Sequence, residues 1–153
     1  MRREARVRSV AYETFDAGAH LSGVAGILAS LEWDNCGYDP ALTRKALTAP
    51  GVMTIVAAAG ETGKVAGFAQ VFAQVFADGV FRAHLGLLAV DEGWHRRGRR
   101  GAGRGLVEEA FAKVGARRLD LTASDESLGF HRSFNHGEQV GFRIYAEGEE
   151  ESS

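Results

Sequence analysis

The stretch DEGWHRRGRRGAGRG (Asp91–Gly105) joins a run of strand character, LGLLAV (Leu85–Val90), to a run of helical character. It holds arginines at 96, 97, 99, 100 and 104 and glycines at 93, 98, 101, 103 and 105. After Glu92 no acid occurs before Glu108. A basic, glycine-rich turn at the carboxyl end of a strand, opening a helix, suits an anion. The free N–H groups of the helix start and its positive dipole end point at the charge. Glycines allow close approach, and arginines add forked hydrogen bonds.

Outward from this turn, Leu106, Val107, Ala110, Phe111 and Val114 repeat at helical spacing, and Gly115 stands where a C′ glycine belongs. Arg118–Thr122 reads as a short strand, 125–134 as a helical stretch and Gly141–Ala146 as a strand that closes the sheet. On the other side, Val52–Ala59, Lys64–Phe76 and Val80–Val90 are strand-like runs. Their separators, Glu61-Thr62-Gly63 and Asp78-Gly79, are hairpin turns. Earlier, residues 2–10 read as an opening strand, and Asp16 as the N-cap of a helix burying Leu21, Val24, Ala25, Leu28 and Leu31. Asp39-Pro40 starts a second helix. The expected fold class is α/β: a mixed sheet, an antiparallel meander followed by a parallel strand–helix–strand unit.

Composition bounds the rest. The chain has 153 residues, 45% apolar and 25% charged, with a net charge of −2. That fits one domain, expected over 1–146, with an acidic tail at 147–153. Disorder is excluded by the ordinary apolar fraction and small charge. No apolar run approaches the roughly 20 residues that span a bilayer. The N-terminus MRREARVRSV lacks a secretory h-region, so a cytoplasmic protein is expected. The single cysteine, Cys36, excludes an internal disulfide, and the scattered histidines suggest no metal site. Glycine is in excess, 20 residues where average usage would give roughly 11.

Three readings compete for the turn: a solvated basic loop, a nucleic-acid footprint, or a nucleotide-type ligand at the helix start. The net acidic charge and the lack of interleaved aromatics beyond Trp94 count against nucleic acid. A Walker A loop is excluded, because no Gly-Lys-Ser/Thr occurs. Gly101-x-Gly103-x-Gly105 is also not the dinucleotide fingerprint G-x-G-x-x-G.

The strand LGLLAV, the Arg/Gly turn and the helix GAGRGLVEEAF together resemble the acetyl-coenzyme A motif of the GCN5-related N-acetyltransferases (GNAT), R/Q-x-x-G-x-G/A followed by an amphipathic helix. RRLDLTASDESLGFHRSF resembles the next strand and helix of that family, and VMTIVAAAGETGKVAGFAQVF its second and third strands. The resemblance covers about residues 52–146. It departs from the motif in three places. With Gly101 and Gly103 as the glycine pair, the motif's arginine falls on Gly98, between Arg97 and Arg99; with Gly103 and Gly105 it falls on Arg100, but the helix phase is off by two. The loop after Val90 is longer than usual, and Asp125 replaces an Asn.

The resemblance implies an acetyl-coenzyme A-dependent N-acetyltransferase acting on a primary amine, a small molecule or a peptide N-terminus, with homodimers common in the family. It implies that Arg96, Arg97, Gly98, Arg99, Arg100, Gly101, Ala102, Gly103, Arg104 and Asp125 hold the cofactor. It also implies a bulge at the end of the central strand, where the backbone of Leu88, Ala89 and Val90 binds pantetheine and the acetyl oxygen. His84 lies where some relatives carry a glutamate base. Alternation puts it on the face of Leu88 and Val90, opposite Leu85, Leu87 and Ala89. His131, where the family has Tyr, is the expected proton donor to the thiolate. In the expected acceptor loop, Trp33 and Tyr38 offer aromatic walls and Glu32 and Asp34 negative charge. The alternatives are an idle coenzyme A-binding module of the same fold and, from the arginines alone, a nucleic-acid binder.

Overall fold

The computed structural model describes residues 10–30, 40–59, 65–73, 82–90, 101–123 and 125–149. These fall into two compact units that divide after Asp120. The first unit is a five-stranded sheet with three helices. In chain order it runs β1 (Val10–Thr14), α1 (Ala17–Ser30), α2 (Pro40–Leu47), β2 (Val52–Ala59), β3 (Val65–Ala73), β4 (Arg82–Val90), α3 (Ala102–Val114) and β5 (Arg118–Asp120). The strands lie in sequence order across the sheet. β1 to β4 pair antiparallel, and β5 joins β4 in parallel through the α3 crossover. The mixed sheet with a parallel switch after the meander is the architecture expected from the sequence.

Each helix forms for a local reason. Asp16 caps α1, its Oδ2 accepting from the Ala19 N–H at 3.0 Å. Here α1 buries His20, Val24, Ile27 and Leu28. Leu21 and Ala25 are only partly covered, so the buried stripe is rotated from the one expected. Gly23 lets α1 approach β3, because a Cβ there would stand 2.8 Å from Val65 Cβ. Pro40 opens α2, and the Thr54 hydroxyl donates to Leu47 O at 2.9 Å, tying that helix to β2. Gly115 ends α3 at φ 75°, with its N–H bonded to Phe111 O.

The two faces of the sheet carry different helices. On one, Val24, Ile27, Leu28 and Leu47 of α1 and α2 pack with Val56, Val65 and Ala89, joined by Phe15 and Leu87. On the other, α3 turns in Ala102, Leu106, Val107 and Ala110, all buried. Gly67 permits that approach: a Cβ there would lie 2.9 Å from Ala89 O and 3.2 Å from Leu106 Cδ1. Burying Leu106 stabilises the fold by about 1.5–3 kcal/mol.

The second unit holds a 3₁₀ turn (Asp125–Ser127) and the short helix α4 (Leu128–Arg132). Gly141–Ala146, expected as a strand, has no strand pairing. Its alternating apolar side chains are open to solvent, Val140 at 84%, Phe142 at 87% and Ile144 at 91% exposure. The period of two is present, but no strand pairs with it among the described residues. The strand expected over 118–122 ends at Asp120. The opening strand, expected to end at residue 10, continues to Thr14, and residues 2–9 lie outside the described residues.

Candidate active site: the open edge of β4 and the start of α3

β4 is paired on its two edges to very different extents. Against β3 it is aligned from Ala83 to Val90. Against β5 only Arg82, Ala83 and His84 are aligned, with Arg118, Leu119 and Asp120. Among the described residues no strand pairs with Leu85–Val90 on that side. Backbone donors and acceptors there must find partners elsewhere, so the edge is a ready template for an extended, amide-bearing ligand.

Within β4 the ladder slips: Gln70 is aligned with Leu87 but Val71 with Leu85, which leaves Gly86 as the extra residue of a β-bulge. The bulge lies upstream of Leu88, Ala89 and Val90, which keep an unbroken register with Ala69, Phe68 and Gly67. It also corrects the expected facing of His84. One extra residue inverts the alternation, so His84 lies on the face of Leu87 and Ala89, not on that of Leu88 and Val90. That is the side packed by α1 and α2. An isolated glycine in a strand pattern is itself a bulge signal, and Gly86 could have been read so.

α3 begins without a side-chain cap. Gly101 is the N-cap residue in extended conformation, and the helix opens on Ala102 and Gly103, both buried. A helix start carries N–H groups and the positive end of the helix dipole, and residues with little or no side chain there leave room for a group of phosphate size. Arg104 Nε lies 3.6 Å from Glu108 Oε2, an i,i+4 pair that directs this side chain along the helix. Gly105 has a packing reason of its own, since a Cβ there would overlap the Tyr12 hydroxyl. Burial pushes the Tyr12 pKa up, and Glu108 and Glu109 push it the same way.

The remaining expected site residues divide by location. Arg96, Arg97, Gly98, Arg99 and Arg100 lie outside the described residues, as do Glu32, Trp33, Asp34 and Tyr38. Asp125 is exposed, at the head of the 3₁₀ turn. His131 is half-buried in α4, edge-to-face with Phe130 at 5.1 Å. Burial lowers its pKa, which favours the neutral ring over an imidazolium donor. Among the described residues no cluster of three or more His, Cys, Asp or Glu could hold a metal, and no helix is long and apolar enough to cross a membrane.

By sequence, neither a family model nor a curated protein matches the chain. By structure, several acetyltransferases do. An aminoglycoside acetyltransferase from an uncultured soil metagenomic sample, solved with sisomicin, superposes with a TM-score of 0.68 at 22% identity, over 90% of this chain and 95% of that one. A GNAT-family acetyltransferase from Streptococcus pneumoniae gives 0.64 at 18%, over 92% and 98%. Glucosamine-6-phosphate N-acetyltransferase from Arabidopsis thaliana gives 0.59 at 16%, over 90% and 99%. These superpositions extend over almost the whole length of the chain, and the chain has the fold of the GNAT acetyltransferases.

Proposed function

We propose that the chain is an acetyl-coenzyme A-dependent N-acetyltransferase that passes an acetyl group directly to a primary amine of a small molecule. The observation that carries this reading is that, among the described residues, no strand accompanies β4 beyond His84 on the β5 side, where α3 opens on Gly101, Ala102 and Gly103. In the proposal the N–H groups of Ala102 and Gly103 hold the pyrophosphate, with Arg96, Arg97, Arg99, Arg100 and Arg104 adding charge. Backbone groups of Leu88, Ala89 and Val90 hold the pantetheine amides and orient the acetyl carbonyl. The cofactor, when bound, supplies the acetyl group as a reactive thioester. His84 accepts the proton that the amine must lose, since an alkylamine near pKa ~10.4 is otherwise protonated at neutral pH. His131 is proposed to hydrogen-bond the departing thiolate. The acceptor loop with Glu32, Trp33, Asp34 and Tyr38 is proposed to hold the amine. Two of the similar structures are an aminoglycoside and a glucosamine-6-phosphate acetyltransferase, which supports a small aminated acceptor.

Three measurements test the reading. Acetyl-coenzyme A at ten- to hundredfold excess over Kd should stabilise the chain by about 1.4–2.7 kcal/mol in a thermal shift. Release of free thiol in the presence of an amine panel should then identify an acceptor. His84→Gln should lower kcat on the order of 10²- to 10⁴-fold while leaving cofactor affinity unchanged. Binding without thiol release across the panel would favour an idle cofactor-binding module. No binding at all would remove the proposal.

A further inference from the structure

We infer that Asp120 is a positioning residue for His84, and that the two form a carboxylate–imidazole dyad across the parallel rung of the sheet. The inference rests on the proposed role of His84 as base and adds a residue to that site. In the β4·β5 ladder His84 is aligned with Asp120. Parallel strands set aligned residues about 4.8 Å apart with their side chains on the same face. Both side chains are half-buried. The two are aligned neighbours on that rung, and the proposed contact between their side chains forms by rotamer adjustment or through one water.

The surrounding charges give the carboxylate its work. One step back on the same face, Arg82 is aligned with Arg118. Asp120 is the one acid aligned with β4 on that ladder, and it stands on the rung of His84. β3, aligned with β4 on the other side, contributes no titratable residue. The one titratable group of α1, His20, is engaged elsewhere, its Nδ1 accepting from the Asp16 N–H and its Nε2 3.4 Å from Glu13. A base must present a lone pair to the amine. If one ring N–H donates to Asp120, the tautomer is fixed and the other nitrogen is free. The amine proton moves to that nitrogen, the ring becomes an imidazolium, and the Asp120 carboxylate balances its charge without itself taking the proton.

The register, not the sequence, brings these residues together: 36 positions separate them, and β5 ends at Asp120. The test compares Asp120→Asn, Asp120→Glu and His84→Gln in the full chain. Asp120→Asn should lower kcat by roughly 10- to 100-fold, the range for outer partners of a working histidine, with KM for acetyl-coenzyme A unchanged. Asp120→Glu should recover most of the loss. In ¹⁵N spectra the His84 ring should show one dominant tautomer in the native chain and a mixture in Asp120→Asn. An unchanged kcat and unchanged ring signals in Asp120→Asn, with His84→Gln still impaired, would overturn the dyad alone. A fully active His84→Gln would instead overturn the base assignment and the dyad with it.

Discussion

The two edges of β4 belong to one strand of nine residues and do opposite things. The β3 edge is a ladder from Ala83 to Val90 broken only by the bulge at Gly86, supported from one face by α1 and α2 and from the other by α3. The β5 edge is a ladder for three residues and then open. The comparison teaches that the apolar sequence RAHLGLLAV is not simply core. Its side chains close the fold, while beyond His84 its β5 side has no strand partner among the described residues. The contrast predicts that damage to the closed edge is read as lost stability, and damage near the open edge as lost binding or turnover.

The largest expected stability effect is at Leu106, fully buried on the closed side. Leu106→Ala should cost about 2–5 kcal/mol in urea unfolding. A cost below about 0.5 kcal/mol would mean that α3 is not anchored through this residue. Next comes Gly67→Ala. Its Cβ would press on the Ala89 carbonyl, which is backbone and cannot swing away. Overpacking of that kind costs about 1–3 kcal/mol. If the variant were neutral, the close approach of α3 to β3 and β4 would be looser than described.

How much of this was legible in the residues depends on what a residue reports. The Asp16 cap, the stripe of Leu106, Val107 and Ala110, and Gly115 are local signals, and the elements follow them. The extent of β2 was legible to the residue, since it begins after Pro50-Gly51 and keeps a β-rich run. What was not legible is set by pairing. The facing of His84 turns on a one-residue slip at Gly86, and the neighbourhood of Asp120 on a parallel register. The segment at 141–146 shows the converse: alternation among Val140, Phe142 and Ile144 is a strand pattern, but pairing is decided by a neighbour the pattern does not name. The glycine excess had two causes that composition merges. Gly67 and Gly105 make room for packing, whereas Gly101 opens a helix end.

The smallest expected effects lie in the second unit, where two histidines carry opposite signs. Burial lowers the His131 pKa, so the stability that ring contributes is present above about pH 6.5 and is lost as pH falls through its folded value. His136 is raised, first by its hydrogen bond to Phe134 O and then by Glu138. Its contribution is present below about pH 6.5 and is lost as pH rises through its folded value. Urea unfolding between pH 5.5 and 7.5 should therefore respond in opposite directions to His131→Gln and His136→Gln. Parallel responses would contradict the assignment of burial to one ring and carboxylate pairing to the other.

Amide hydrogen exchange with and without saturating acetyl-coenzyme A tests the open edge most directly. The account predicts slowed exchange at Leu85–Val90 and at Ala102–Arg104, with β1 and β2 unchanged. Protection confined to other segments, or absent at saturation, would contradict it.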